Sequence, residues 1–225
     1  MNEGELFVVA TPIGNLEDIT FRAIKVLKNS DLIVCEDTRK TLILLNKYGI
    51  KKKLFALFKG KEKKRTEFII NMLKEGKKIS LVSESGTPGI CDPGAYLLRR
   101  CHEENIKVSP IPGPSALTSS LSVSGMDGDN FLFLGFPPKK ESKRKKLFSS
   151  LKDEKRTTVF YLSPHNIDKI LQELKEILGV NKKVFLIREM TKKFEEYIYG
   201  TIEKALVWAK NKKGEFTLVI EGKKE

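Results

Sequence analysis

The chain has 225 residues, of which 40% are hydrophobic and 32% are charged. This composition fits one large or two small globular domains. It excludes an integral membrane protein, because no run reaches the roughly 18 uncharged apolar residues that a membrane-spanning helix needs. Lysine and arginine outnumber aspartate and glutamate by 42 to 29, so the formal net charge is +13.

The first half of the chain alternates short β-rich apolar runs with helical patterns. Strands are predicted at 6–10, 31–35, 54–58, 78–83 and 107–111. Helices are predicted between them at 20–29, 38–48, 65–75 and 93–104, with Thr38 and Asp92 as N-caps. An alternating order of strands and helices is typical of a parallel sheet, so the sequence predicts an α/β domain over residues 1–114.

The composition changes at 112–126, where small residues and proline dominate. Later strands are more aromatic and are predicted at 131–136, 157–163, 183–189, 195–200 and 216–221, with helices at 141–152, 166–178 and 202–210. Helices are fewer here, which favours a mixed sheet with antiparallel pairs. We therefore predict a second α/β domain over residues 115–225.

The positive charge is concentrated in two segments. Residues 51–65 contain eight basic residues and one acid, and residues 139–146 contain six and one, so the rest of the chain is close to neutral. Clustered positive charge is typical of proteins that bind phosphate backbones. A solvated lysine-rich surface is the alternative interpretation, and the concentration of the charge favours nucleic acid.

The inventory of metal ligands is small. The chain has two histidines and three cysteines, without an HExxH or CxxC motif, so we expect no metal site. The N-terminus carries two acids before its apolar run, where a secretory signal has basic residues, so we expect a cytoplasmic protein.

Three loops are candidates for a ligand site, because ligands in open α/β sheets bind at the carboxyl ends of the strands. They are TPIGNLED (11–18), SESGTPGICDPG (83–94) and PIPGPSA (110–116). None contains GxGxxG or a P-loop, which disfavours a dehydrogenase or an NTPase. Segment 110–116 partly resembles a nucleophile elbow, with Ser115 as nucleophile and His165 as base. Leu117 replaces the closing glycine, so a hydrolase is a minor alternative.

The second predicted strand ends in CEDTRKT (35–41), which places two adjacent carboxylates beside an arginine. Glu36 and Asp37 next to Arg39 are either a general base with its orienting partner or an ion-paired helix start. The spacing alone favours the ion-paired helix start.

Eight motifs in one order carry a family resemblance: VVATPIGNLEDITFRA (8–23), CEDTRKT (35–41), LVSESGTPGICDPG (81–94), PIPGPSALTSSLSVSG (110–125), FLFLGFPP (131–138), FYLSPHN (160–166), REMTKKFEE (188–196) and GEFTLVIEG (214–222). Together they resemble the tetrapyrrole-methylase superfamily, and within it the branch that methylates small-subunit ribosomal RNA. The resemblance covers almost the whole chain.

The resemblance implies two α/β domains with a cofactor in the cleft between them. The implied reaction is 2′-O-methylation of a cytidine in the decoding centre of 16S rRNA. S-adenosylmethionine (AdoMet) would be the methyl donor and S-adenosylhomocysteine the product, without a metal. The implied partner is 16S rRNA within the small ribosomal subunit, with no membrane involved, and a homodimer is a further expectation.

Site residues follow from the resemblance and the charge. Asp37 or Glu36 is the candidate base. The candidate cofactor residues are Ser83, Glu84, Ser85, Gly86, Thr87, Pro88, Pro112, Gly113, Pro114, Ser115 and Ala116. The candidate RNA-binding residues are Arg22, Arg39, Lys59, Lys61, Lys63, Lys64, Arg65, Lys139, Lys140, Lys143, Arg144, Lys145 and Lys146.

The chain departs from the family pattern at four places. Glu84 stands for an aspartate, Leu162 for a glutamate and Asn166 for an arginine, and LFKGKEKKR (57–65) replaces a segment like HEHN. Two alternatives to the enzyme therefore stay open. One is a catalytically altered relative that binds RNA or the ribosome, and the other is a small-molecule tetrapyrrole methylase.

Overall fold

The computed structural model describes residues 4–58 and 62–223, and the chain divides into two compact units. The N-terminal unit extends to Ser115 and the C-terminal unit begins at Ala116, one residue after the predicted boundary. Each unit contains one five-stranded sheet. Among these residues, no helix has the length and apolarity needed to cross a membrane.

The N-terminal unit alternates strands and helices as predicted. In chain order it contains β1 (Glu5–Val9), a 3-10 turn (Leu16–Asp18), α1 (Phe21–Asn29), β2 (Leu32–Cys35), α2 (Thr38–Lys47), β3 (Leu54–Ala56), α3 (Glu62–Lys74), β4 (Lys78–Val82), α4 (Ala95–Glu103) and β5 (Lys107–Ile111). The strand order is β3-β2-β4-β1-β5 and every pair is parallel. The predicted parallel sheet is therefore confirmed.

Both faces of this sheet are buried, as the continuous apolar strands require. Leu32 and Val34 of β2 pack into one apolar cluster with α3 and α4. Their neighbours Ile33 and Cys35 pack into another with α1 and α2. The alternation follows from the two-residue period of a strand.

Two predicted helix caps are wrong. The N-cap of α2 is Asp37, whose carboxylate accepts a hydrogen bond from the Arg39 amide at 2.8 Å, rather than Thr38. Helix α4 begins at Ala95 after Gly94, rather than at Pro93 after Asp92. Gly94 has φ of 127°, and a Cβ there would lie 3.0 Å from Leu81 Cδ2, so the close approach of the loop to β4 sets the later start.

The C-terminal unit contains the predicted mixed sheet. Its elements are α5 (Ala116–Val123), β6 (Phe131–Phe133), α6 (Glu141–Ser150), β7 (Thr157–Leu162), α7 (Ile167–Leu178), β8 (Lys183–Arg188), β9 (Glu196–Thr201), α8 (Ile202–Ala209) and β10 (Phe216–Ile220). The strand order is β6-β7-β10-β8-β9, in which β6 and β7 are parallel and the other pairs are antiparallel. Helices α6, α7 and α8 cover one face around Phe148 and Phe160, and Leu121 of α5 packs on the other.

Candidate functional site

The carboxyl ends of the parallel strands bring the candidate loops of the N-terminal unit together. Thr11, two residues after β1, forms an isolated antiparallel bridge with Gly86 of the loop after β4. The Thr11 amide donates to the Gly86 carbonyl at 2.9 Å, and the Gly86 amide donates back at 3.0 Å. The Ala10 amide donates to the Ile111 carbonyl at the end of β5. These bonds fix the loops after β1, β4 and β5 at one edge of the sheet.

The loop after β4 is held by its own hydroxyl groups. Ser83 is buried, and its hydroxyl donates to the Gly86 carbonyl at 3.0 Å. Gly86 has φ of 80°, and a Cβ there would lie 3.3 Å from Ile13 Cγ2, so the sharp turn requires glycine. The Thr87 hydroxyl lies 3.5 Å from the Pro114 carbonyl. Residues 83–88 and 112–114, two predicted cofactor segments, are therefore neighbours.

The chemistry of this edge fits the amino acid and ribose parts of AdoMet. Ser85 and Glu84 are exposed, Thr87 is half-buried, and Pro112 is at the surface. Hydroxyl and carboxylate groups of this kind hydrogen-bond ammonium and ribose hydroxyl groups. The Glu84 carboxylate also forms an ion pair with Lys40 of α2, a partner that the sequence analysis missed. Ser115 is the last residue of this unit, and Ala116 opens α5 in the other.

The two candidate bases occupy different environments. Asp37 binds the Arg39 guanidinium through both oxygens, with Nε at 3.2 Å and Nη2 at 2.9 Å, in addition to capping α2. The hydrogen bonds from Arg39 lower the pKa of Asp37 to about 2, so this carboxylate is a weak base. Glu36 is half-buried and lines a narrow crevice with Ser83 and Asp92, between the ends of β2 and β4.

The predicted RNA-binding residues of the first basic segment are only partly described. Lys59 and Lys61 lie outside the described residues. Lys63 and Lys64 are exposed in the first turn of α3. Arg65 is half-buried and donates to the Ala56 carbonyl through Nη1, so its guanidinium is part of the folded structure.

The other predicted RNA-binding side chains are mostly at the surface. Arg22 on α1 is exposed, and Arg39 is exposed although it is bound to Asp37. Five lysines of the second basic segment are exposed: Lys139, Lys140, Lys143, Lys145 and Lys146. Lys145 forms an ion pair with Glu141 at 3.0 Å.

Arg144 is a correction to the predicted RNA interface. Its side chain is 7% exposed, and Nε and Nη2 each lie 2.6 Å from a carboxylate oxygen of Glu173 on α7. Nη1 donates to the carbonyls of Pro138 and Lys139, each at 3.0 Å. Because the guanidinium is enclosed and four of its five N–H groups are in use, Arg144 connects α6 to α7 and is not available to an RNA phosphate.

The departures in FYLSPHN lie in ordinary structural positions of the C-terminal unit. Leu162 ends β7 and is 2% exposed within the apolar core. Asn166 precedes α7 as its N-cap residue, without a side-chain capping bond. Leucine at 162 therefore contributes to the packing of this unit.

An aromatic cluster surrounds Arg65 in the N-terminal unit and was not predicted from the sequence. Its guanidinium carbon lies 5.0 Å from the ring centre of Phe55 and 4.9 Å from that of Phe58. Phe68, one helical turn after Arg65, stacks on Phe55 with 5.0 Å between ring centres. The sequence signal for this cluster was the three-residue spacing of Arg65 and Phe68, since residues three apart share a helix face.

Another missed feature is Asp18, at the end of the 3-10 turn after β1. Its Oδ2 is buried and has no hydrogen-bond partner within the described part of the chain. No cluster of three or more His, Cys, Asp or Glu side chains suited to a metal ion occurs in residues 4–58 and 62–223.

The chain matches a protein-family model and several curated proteins. The model "Tetrapyrrole (Corrin/Porphyrin) Methylases" matches residues 5–206. A Thermotoga maritima protein named ribosomal RNA small subunit methyltransferase I is 48% identical, over 98% of this chain and 99% of its own length. The Escherichia coli O157:H7 protein of the same name is 42% identical, over 99% of this chain and 79% of its own length.

Solved structures share the fold at much lower sequence identity. The uroporphyrin-III-C-methyltransferase of Thermus thermophilus has a TM-score of 0.69 and 17% identity, over 97% of this chain and 94% of that chain. The methyltransferase CobJ has a TM-score of 0.73 and 16% identity, with the same coverage. The chain therefore belongs to the tetrapyrrole methylase family, within the group whose curated members are named ribosomal RNA small subunit methyltransferase I.

Proposed function

We propose that the protein is an AdoMet-dependent methyltransferase that modifies the ribose 2′-hydroxyl of a cytidine in the decoding centre of 16S rRNA. The observation that carries the proposal is the likeness to small-subunit rRNA methyltransferases, at 42–48% identity over nearly the whole chain. The basic segments support an RNA substrate, because Lys63, Lys64 and five lysines at 139–146 present charge at the surface. A cytoplasmic location, the small subunit as substrate and a homodimer remain predictions.

The residues assigned to the cofactor are those of the sheet edge described above. In this proposal Ser85, Thr87 and the main chain of 112–115 bind its polar groups, and Glu84 accepts hydrogen bonds from its ammonium or ribose hydroxyls. When bound, AdoMet supplies an electrophilic methyl group on a sulfonium. The protein then has to align the ribose hydroxyl and remove its proton, without a covalent enzyme intermediate.

Of the two candidate bases, we assign proton removal to Glu36. A ribose hydroxyl is a weak nucleophile until its proton is taken, and a carboxylate with a pKa of about 2 accepts a proton poorly. Asp37 instead caps α2 and holds Arg39. Glu36 lies one residue earlier, in the crevice with Ser83 and Asp92, so the same strand end places it beside the proposed cofactor loop.

The proposal is tested by transfer of labelled methyl from AdoMet to small ribosomal subunits of a strain that lacks the enzyme, with naked 16S rRNA in parallel. We expect one ribose-methylated cytidine in the decoding centre, identified by nuclease protection and mass spectrometry. AdoMet binding in calorimetry without transfer to either substrate would instead identify a catalytically altered relative. A methyl on a base, or on another nucleotide, would reject the assigned position.

The exposed lysines of α3 give a prediction for RNA affinity. Replacing Lys63 and Lys64 with alanine should weaken binding and reduce the magnitude of the slope of log affinity against log salt by about 1.4, since each single-strand phosphate contact contributes roughly 0.7. The measurement is a titration of rRNA fragments at several salt concentrations. Alanine at Lys204 and Lys210, two exposed lysines of the C-terminal unit, is the charge-matched control. An unchanged slope for the α3 variant would remove these lysines from the interface.

A further inference from the structure

An open cavity of about 860 Å³ lies beside the edge strand β3 of the N-terminal unit. Its lining includes Phe55, Phe68 and Tyr96, together with Lys63, Lys64 and Arg65. The volume falls within the roughly 300–1,000 Å³ range of small-ligand sites. This cavity is separate from the narrow crevice that contains Glu36.

Aromatic rings at and beside this cavity are exposed to solvent. Phe55 and Phe68 stack with an angle of 26° between their planes, yet Phe68 remains 48% exposed and the adjoining Phe58 is 43% exposed. Arg65 lies over the rings of both Phe55 and Phe58, and its bond to the Ala56 carbonyl fixes the guanidinium plane. The result is a pre-ordered surface of flat π groups. Such surfaces bind the faces of nucleobases.

The positive charge at the cavity also favours a nucleic-acid ligand. Lys63 and Lys64 are exposed at its wall, and among the described residues that line it Glu62 is the one acid. Flat aromatic surfaces next to cations complement a chain that alternates bases with phosphates. Single-stranded nucleic acid has this chemistry, whereas paired bases in a duplex cover their faces.

The position of the cavity indicates which nucleotide it receives. Phe58 directly follows Leu57, whose amide donates to the Cys35 carbonyl at 2.7 Å and which lines the crevice containing Glu36. Tyr96 lies in the first turn of α4, directly after the loop proposed to bind the cofactor. The cavity therefore adjoins the reacting edge of the same unit, where a neighbour of the target nucleotide would lie.

We propose that this cavity binds one unpaired nucleotide of the rRNA substrate adjacent to the methylated one. Its base stacks on the cluster of Phe58, Phe68 and Arg65, and Lys63 and Lys64 hold the flanking phosphates. This inference rests on the proposed RNA methyltransferase function. It adds a substrate-positioning site beyond the reacting ribose.

The test compares Phe68→Leu, which keeps an apolar side chain but removes the aromatic face, with Phe68→Tyr, which retains that face. We expect Phe68→Leu to raise the Kd for an unstructured 12-nucleotide RNA by roughly 5- to 160-fold, the effect of losing one stacked base. Its salt slope should match that of the wild type, because no charge is removed. Phe68→Tyr should bind within about twofold of the wild type, since tyrosine also stacks on bases.

Phe194→Leu is the matched control, because Phe194 is an exposed phenylalanine with Lys193 over its ring in the C-terminal unit. Equal losses of RNA affinity in Phe68→Leu and Phe194→Leu would overturn the proposal. Wild-type RNA affinity in Phe68→Leu would also overturn it, as would the absence of single-stranded RNA binding by the wild type. An assay of methyl transfer distinguishes failure of the cavity proposal from failure of the proposed methyltransferase function. If the wild type methylates small subunits and Phe68→Leu keeps the same KM for them, the cavity assignment fails and the proposed function stands.

Discussion

Replacement of Glu36 with glutamine is expected to lower kcat for methyl transfer by about 100- to 10,000-fold, the usual contribution of a general base. Glutamine has nearly the same shape, so KM for the RNA substrate should change little. Single-turnover transfer to small ribosomal subunits at saturating AdoMet measures the chemical step.

Asp37→Asn is the matched control for this experiment. Asparagine caps a helix as well as aspartate does, so α2 should keep its N-terminus while the ion pair with Arg39 is lost. We expect its kcat to stay within a few-fold of the wild type. A large loss of rate in Asp37→Asn with normal turnover in Glu36→Gln would show that Asp37, despite its low pKa, is the base.

The two carboxylates illustrate which parts of the site could be predicted from sequence. The strand at 31–35 and the helix after it follow from hydrophobic periodicity, so the carboxyl-end position of Glu36 and Asp37 was predictable. Which of the two caps α2 was not predictable, because either carboxylate can cap a helix or act as a base. The structure shows that Asp37 caps α2 and binds Arg39, and the proposed assignment of Glu36 as the base is built on this observation.

The sharp loops that we propose to bind the cofactor were predictable for a similar reason. Glycine and proline in 83–94 and 110–116 indicated sharp connections at strand ends. The bridge between Thr11 and Gly86 and the contact between Thr87 and Pro114 depend on strand order, which joins residues more than 25 positions apart. Periodicity contains no information about such pairs.

The basic segments show the limit of arguments from charge. The run at 139–146 overlaps a predicted helix, but its composition does not indicate that one of its cations faces inward, or which one. Arg144 faces inward because Glu173 on α7 lies opposite. In the other segment, Arg65 is on α3, whereas its aromatic partners are Phe55 of β3 and Phe58 just after that strand, so they meet only in the folded unit.

The buried pair of Arg144 and Glu173 leads to the largest predicted effect on stability. Replacing Arg144 with methionine leaves the Glu173 carboxylate enclosed without its partner, which typically costs about 3–5 kcal/mol. The midpoint of thermal unfolding should fall by roughly 6–20 °C for a chain of this size. Scanning calorimetry and urea denaturation measure the change.

Two further variants test whether the unpaired carboxylate of Glu173 causes this loss of stability. Removing both charges in Arg144→Met with Glu173→Leu should recover much of the lost stability, because the isolated buried charge is the main cost. Recovery should be incomplete, since the carbonyls of Pro138 and Lys139 still lose their donor. Lys143→Ala removes an exposed neighbouring charge from the same helix and should unfold like the wild type. If Arg144→Met is as stable as the wild type and instead flattens the salt dependence of RNA binding, Arg144 belongs to the RNA interface after all.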